Sequence, residues 1–519
     1  MPDRPSFILF ITDQHRADFL GCYGHPVLRT PHIDAIAAAG TRYDRFYVAS
    51  PVCMPNRASL MTARLPSSHG VRMNGIPLDQ RNVTFVDLLR AADYETALIG
   101  KSHLQIMGGS PPMMPRPPVK DGYHVAPAPL SEAVRHDLSS DRYRSETATH
   151  WADPGAAVPV PFYGFDHVEL VTGHGDALGG DYRRWLLERC PEADSLTGAA
   201  NQLPHGYACP QAVRTALPEH LYPTAYIAER AEAWLRSRVG SDRPFFLMVS
   251  FPDPHHPFNP PGHYWDLYDP DAMPVPEAFT RNDWMPPPHV AGIHAQRSEG
   301  TAALKGMGTI GVTAREAQEA QALTCGMIAM IDDAVGRVRA APGAAGAVQV
   351  FTSDHGDHLG DHRLMLKGAE QYDQITRVPM LWADPDRRGP ASTGAMGQTH
   401  DIGTTILDRA RIAPAIGMQG ISLLEGGRDE ALIQYDHQKT NPGIGQGPRV
   451  HTLRHGRWRL SLIAGVDWAE LYDLDSDPGE LVNLWNSPDH AGVRADLLER
   501  LARAEIAAVD RAPFPVAQA

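Results

Sequence analysis

Two segments far apart in the chain share one grammar, and that grammar sets the fold. FILFITD runs from Phe7 and closes on Asp13, while VQVFTSDHGD runs from Val348 and closes on Asp354, His355 and Asp357. Each is an apolar run of strand length that stops in acid, the pattern of a strand buried on both faces as it leaves a parallel sheet. RPFFLMVSF, Arg243–Phe251, reads as a third such strand. Helical stretches lie between them. TPHIDAIAAAG predicts a helix with Thr30 as N-cap, Pro31 in the first turn and Gly40 as terminator, and TAYIAERAEAWLRSR and AQALTCGMIAMIDDAVGRVRA predict two more. Strands alternating with helices predict an α/β fold, an α/β/α sandwich around a large, mostly parallel sheet. Ligands of such sheets collect at the carboxyl ends of the strands, where Asp13, His255, Asp354 and His355 fall.

A chain of 519 residues is too long for one ordinary core. A catalytic domain over 1–425 is expected, with long Pro/Gly-rich loops at about 105–210 and 257–310. From 426 the pattern changes to short strands, ALIQYDH, HTLRHGRWRLSLI and AELYDLDSDPGELVNL, followed by a helix from about Ala491 to Val509. A small C-terminal α+β domain with an antiparallel sheet, 426–519, is the reading, with Arg449–Leu462 alternating as a hairpin partner. The net charge of −14, with no run of Lys or Arg, argues against nucleic acid and acidic membranes as partners. The N-terminal apolar run, Phe7–Ile11, is too short for a signal peptide, and no segment approaches the ~20 apolar residues of a membrane span, so a cytoplasmic protein is expected, acting as a homo-oligomer. Five widely spaced cysteines without a CxxC pair argue against a disulfide framework or a thiolate zinc site.

One of those cysteines needs its own explanation. In SPVCMPNRASLMTARLPSSHG, Cys53 precedes Pro55 and Arg57 where helical spacing begins, with Pro55 suited to a first turn. A helix N-terminus favours negative charge, so the position suits a reactive thiolate or an anionic substrate, and spacing alone does not choose. Asp13 and Gln14 after one strand, with Asp354 and His355 after the other, form an oxygen- and nitrogen-rich candidate site for a divalent cation. His103 in GKSHL and His255 in FPDPHHPF end other segments, and prolines around His255 fix its backbone for proton transfer. Taken singly, His256, His358 and His362 read as satisfied core histidines, and Lys101 and Lys367 as ambiguous lysines at the same edge.

SPVCMPNRASLMTAR contains C-x-P-x-R and resembles the signature of the type I, formylglycine-dependent sulfatases of the alkaline phosphatase superfamily. FILFITDQHRADFLGCYGHPVLRTPHIDAIAAAGTRYDRFY, GKSHL, SFPDPHHPF, FTSDHGDHLGDHRLMLKGAEQYDQITRVPML and ELYDLDSDPGELVNL are similar to further blocks of that family in the expected order, so the likeness covers nearly the whole chain apart from the Pro-rich loops. The resemblance implies that Cys53 is oxidised by a formylglycine-generating enzyme to an aldehyde that hydrates to a diol. One hydroxyl attacks sulfur to give a covalent sulfate ester, and the second lets the aldehyde return. It implies Asp13, Gln14, Cys53, Asp354 and His355 as metal ligands and Arg57 as support for the modified side chain. Lys101 and His103 would hold and deprotonate the diol, His255 and Lys367 would bind the sulfuryl oxygens and the leaving oxygen, and Asn74 in GVRMNG would bind oxygen. Many sulfatases carry Asp-Asp where this chain has Asp13–Gln14, and Asn where it has His355. These departures shift the expected single ion from calcium towards manganese and resemble the phosphonate monoester hydrolase branch. The expected activity is hydrolysis of small sulfate esters, arylsulfatase-like, with added turnover of phosphonate monoesters and phosphodiesters. The alternatives are phosphonate or phosphodiester hydrolysis as main activity, or a catalytically dead anion-binding relative. One divalent ion with Lys and Arg partners suits a singly charged ester better than a doubly charged phosphate monoester.

Overall fold

The computed structural model describes residues 4–281 and 283–518. In chain order its strands are β1 Phe7–Thr12, β2 Thr41–Tyr47, β3 Glu95–Gly100, β4 His167–Thr172, β5 Gly179–Gly180, β6 Phe245–Ser250, β7 Ile310–Gly311, β8 Val348–Ser353, β9 Leu364–Met365, β10 Met380–Ala383, β11 Ser392–Gln398, β12 Glu430–Asp436, β13 Thr440–Asn441, β14 Gly445–Gln446, β15 Arg449–His455, β16 Trp458–Ile463 and β17 Ala469–Asp473. Nine of them form one sheet in the order β11-β2-β10-β8-β1-β6-β3-β4-β5. All its pairs are parallel except those of β10 with β2 and β8, and of β4 with β5.

The unbroken apolar run of β1 is explained by its place at the centre. Ile8 and Phe10 pack into one core with Ile33, Tyr226, Leu323 and Ile331, from the helices Pro31–Ala39, Pro223–Arg236 and Ala314–Ala340. Phe7, Leu9 and Ile11 pack into the other with Leu60, Met61, Phe85 and Ile402, from Cys53–Thr62, Phe85–Ala91 and Asp401–Arg409. Each such side chain, fully buried, contributes roughly 1.5–3 kcal/mol. The result is the three-layer sandwich that the alternation of strands and helices implied.

The central strands β8, β1, β6 and β3 are adjacent and parallel, so the residues that follow them emerge side by side. Close approach at this edge needs Gly100, with φ +113: a Cβ there would lie 1.9 Å from the Ser250 carbonyl oxygen. That carbonyl accepts from Lys101 N at 2.9 Å.

The C-terminal part carries a second, antiparallel sheet, β12-β15-β16-β17, with β15 and β16 as a hairpin. The helix Ala491–Ala507 covers one face through Leu497 and Leu501, against Leu432, Leu453, Leu460 and Leu471. Two stretches read as loops are only partly so. The 105–210 segment contains β4, β5 and the helix Asp181–Arg189, and 257–310 contains the helix Pro288–Ser298. β4 sits near the sheet margin and is buried only in its second half, so its pattern HVELVT lacks the apolar run of a central strand. The prolines of WMPPPHV supply the N-cap and first turn of a helix instead of a loop. Among the described residues no helix is long and apolar enough to cross a membrane.

Candidate active site

Cys53 is the first residue of its helix, after Val52 as N-cap, and Pro55 stands in the first turn, where its missing N–H costs nothing. Asn56 fixes this turn. Its Oδ1 accepts from Ala49 N at 2.9 Å, and its Nδ2 donates to the Asp354 carbonyl and to Thr399 Oγ1, tying the helix start to the end of β8. The Cys53 sulfur then lies 3.2 Å from His355 Nε2 and 3.4 Å from Lys367 Nζ, and is 2 % exposed.

Arg57, one turn on, draws the strand ends together. Its Nε donates to Asp354 Oδ2 at 2.7 Å, its Nη1 to Ser250 Oγ at 3.0 Å and to the Lys101 carbonyl at 3.1 Å, and its Nη2 lies 3.8 Å from Asp13 Oδ2. It therefore binds Asp354 directly and stands beside Asp13. Asp13, Cys53, Asp354 and His355 each offer a ligand atom within 4.8 Å of the others. Gln14, in the left-handed region at φ +65, lies beside this group with its Oε1 accepting from Lys367 Nζ at 2.9 Å and its Nε2 on Asp357 and His256.

The other predicted residues line the same place. The Lys101 ammonium pairs with Asp13 and lies 2.7 Å from His174 Nε2. His103 has φ +57. That conformation is held by Glu146, whose carboxylate accepts from the backbone N–H groups of His103, Leu104 and Gln105 at 2.8, 3.0 and 2.9 Å. His255 gives its Nδ1–H to the His256 carbonyl at 2.6 Å, which leaves Nε2 without a partner. Asn74 is turned towards the helix start, its Oδ1 accepting from Met54 N at 3.1 Å.

Several groups here were not singled out from the sequence. His174 follows β4 and stacks on His255 with ring centroids 3.7 Å apart. Glu146 lies in a loop, and neither has a spacing that marks it; both are found only when β3, β4 and β6 are seen side by side. Asn56 could have been found, since it sits inside C-x-P-x-R.

Buried anions and buried cations are interleaved here, and each shifts the other. Burial alone would raise Asp13, but Lys101 and His255 hold it well below the usual carboxylate range. Burial would likewise push the Cys53 thiol up, and Lys367, helped by His355 and His103, pulls it well below. His355 is carried up to about 10: burial opposes this, and Asp354 outweighs it. Even so, Asp13 Oδ1 is buried without a hydrogen-bond partner, with His355 Nε2 3.4 Å away. Two carboxylates, one of them with a buried idle oxygen, and an imidazole fit a divalent cation. A second acidic group, His32 with Asp332 and Asp333, has a structural explanation, since Asp332 accepts from the backbone N–H groups of His32 and Ile33 at the start of Pro31–Ala39.

The sequence and the fold are matched in known proteins. Residues 359–507 match the C-terminal part of N-sulphoglucosamine sulphohydrolase. An arylsulfatase of Clostridium perfringens is 27% identical over 518 residues, covering 96% of this chain and 93% of its own. A multifunctional alkaline phosphatase superfamily protein of Trinickia caryophylli is 27% identical over 547 residues, covering 98% and 96%. Among solved structures, the phosphonate monoester hydrolase of Agrobacterium radiobacter superposes with a TM-score of 0.74 at 25% identity over 98% of this chain and 97% of that one. Residues 5–412, from β1 past the last strand of the large sheet, match the Sulfatase family, and the chain belongs to it, a sulfatase-type hydrolase of the alkaline phosphatase superfamily.

Proposed function

We propose that the protein hydrolyses small sulfate monoesters, arylsulfatase-like, with residue 53 as nucleophile after oxidation of Cys53 to formylglycine by a formylglycine-generating enzyme. The observation that carries this reading is the placement of Cys53: a buried thiol at a helix start, in contact with His355 and Lys367 and within one ligand group with Asp13 and Asp354. Formylglycine at this position would supply a hydrated aldehyde, a nucleophile with a second hydroxyl for product release. Asp13, Gln14, Asp354, His355 and residue 53 would hold one divalent ion, manganese or calcium, whose contribution is Lewis-acid activation and charge for the ester oxygens.

The remaining steps belong to the chain's own side chains. Arg57 holds Asp354 and stands beside Asp13, so the two carboxylates keep their place. Lys101 and His103 orient the nucleophile and take its proton, His103 having a buried idle Nδ1. Lys367 and His255 bind the sulfuryl oxygens and neutralise the leaving oxygen, and His255 Nε2, idle and without a proton while Nδ1–H is engaged, is the atom that would take one up and pass it on. Five cysteines without a disulfide among them support a cytoplasmic setting. A second reading, phosphonate monoester or phosphodiester hydrolysis as main activity, is favoured by the neutral Gln14, by the imidazole of His355, and by the likeness to the Agrobacterium radiobacter hydrolase.

Turnover of 4-nitrophenyl sulfate, a phenylphosphonate ester and bis-nitrophenyl phosphate, side by side, tests the choice. Sulfate is expected to have the highest kcat/KM, and no turnover of any by protein with modified Cys53 would overturn the reading. Elemental analysis is expected to find one divalent ion per chain; two equivalents of zinc would contradict the site assignment.

A further inference from the structure

The β12–β15 connection leaves the C-terminal sheet and reaches the active site through the short hairpin β13–β14. Gln438 pins it there. Its Nε2 donates to the Asn74 carbonyl at 2.6 Å and its Oε1 accepts from Met113 N at 3.0 Å, so the hairpin is tied both to the segment after the Cys53 helix and to the Pro-rich loop. On its other side Asn441 Nδ2 donates to Glu370 Oε1 at 3.3 Å, while Glu370 Oε2 accepts from Thr309 Oγ1 at 2.7 Å. Both oxygens of that buried carboxylate are therefore engaged, and His358 Nε2 stands 3.7 Å from Oε2.

Lys439 lies between these two anchors. It is half-buried, and among the described residues no side chain or carbonyl pairs with its ammonium. A Cβ built at Gly308 would stand 3.6 Å from Nζ, which places the ammonium between the hairpin and the 305–309 segment. Burial, and then the neighbouring Lys367, lower its pKa. An unpaired, partly dehydrated ammonium beside a second ammonium is costly, and the chain supplies nothing to offset it. Lys367 already touches the nucleophile position and Gln14. An anion that relieves Lys439 therefore belongs to a part of the substrate other than the reacting ester.

Resting on the sulfate-ester reading above, we propose that Lys439 is a specificity residue that binds a second anionic group, a carboxylate or a further sulfate, on the alcohol half of the substrate. The natural substrate is then a sulfate ester of an acidic alcohol or phenol.

The test uses two aryl sulfates that differ only in a ring carboxylate against a ring carboxamide. Wild-type enzyme is expected to prefer the carboxylate by about tenfold in kcat/KM, the size of a partly screened charge contact, and Lys439→Gln to bring the ratio near one. A wild-type ratio near one, or a ratio unchanged by Lys439→Gln, would overturn the proposal. The same two compounds titrated calorimetrically into Cys53→Ala protein, with and without Lys439→Gln, read the contact without turnover. Absence of turnover with an intact, Lys439-dependent binding preference would remove the sulfatase reading and leave the anion site standing. Absence of the preference in binding would remove the anion site alone.

Discussion

Two clusters of charge are buried to similar depth and are built around different centres. In the C-terminal sheet Arg459, 0 % exposed, donates from Nη1 to Glu470 Oε2 at 2.9 Å and to Ser461 Oγ at 2.7 Å, and from Nε to Glu480. It lies over the rings of Tyr372 and Tyr472 at 4.9 and 4.5 Å, with its Nη2, Glu470 Oε1 and the Tyr372 hydroxyl left over. At the carboxyl edge of the large sheet Asp13 Oδ1, Arg57 Nη2, His103 Nδ1, His255 Nε2 and His256 Nε2 are all buried without partners. The first cluster closes on one guanidinium and holds strands together. The second leaves donors and acceptors idle around one thiol, where an arriving ion or substrate would satisfy several of them at once. Unpaired buried groups alone do not mark a site; their convergence on one thiol and two carboxylates does.

The comparison is broken most decisively at Cys53. Cys53→Ala is expected to lower kcat by about four orders of magnitude or more while the denaturant midpoint moves little, and Cys53→Ser to give at most one stoichiometric burst, because serine has no second hydroxyl to expel sulfate. Steady-state and rapid-quench assays on folded protein check both; retained turnover in Cys53→Ala would make the edge cluster structural, like that of Arg459. At Arg459 the balance reverses. Arg459→Ala is expected to cost about 3–5 kcal/mol of stability in urea titration, because two carboxylates stay buried without their cation, and to leave kcat per folded molecule unchanged.

Acid should also tell structural from catalytic groups. His69 Nδ1 accepts from Val71 N at 3.1 Å, and His400 Nε2 accepts from Arg428 Nη2 at 2.7 Å, so both are held neutral, and burial, aided by Arg64 and Arg428 respectively, lowers each pKa to about 3. The unfolded chain takes up these protons near pH 6.5 and the folded chain refuses them. Stability contributed here is thus full above about pH 7 and falls as pH drops from 6.5 towards 3, by at most ~1.4 kcal/mol per unit for each histidine. Thermal melts between pH 8 and pH 5 check the slope, and His69→Gln is expected to flatten it.

The smallest effect is expected at Glu146. Glu146→Gln weakens the three N–H contacts that hold His103 and should lower kcat about tenfold, roughly 1.4 kcal/mol, with KM little changed. A change in KM alone would place the loop in substrate binding instead.

How much of this was legible in the sequence follows the same division. β1, β6 and β8 were readable because strands buried on both faces leave continuous apolar runs, and the acidic residues after them were readable because the sheet edge comes next. β4 was not, since a strand near the margin with one wetted half has no such run, and His174 went unread with it. Cys53, Pro55 and Arg57 announced themselves by spacing, whereas Glu146 acts through backbone N–H groups, which no side-chain pattern records. The hairpin carrying Lys439 is 386 residues from Cys53 in the chain and meets the site through side-chain contacts such as Gln438 on Asn74 and Asn441 on Glu370.

The central claim is that the thiol at position 53 is a precursor, and an intact-mass measurement on enzyme of known specific activity tests it directly. The account predicts that the active fraction is about 18 Da lighter than the encoded chain, the difference between CH2–SH and CHO at the nucleophile carbon, and that specific activity rises in proportion to that fraction. Full activity from protein whose Cys53 is entirely an unmodified thiol would contradict it.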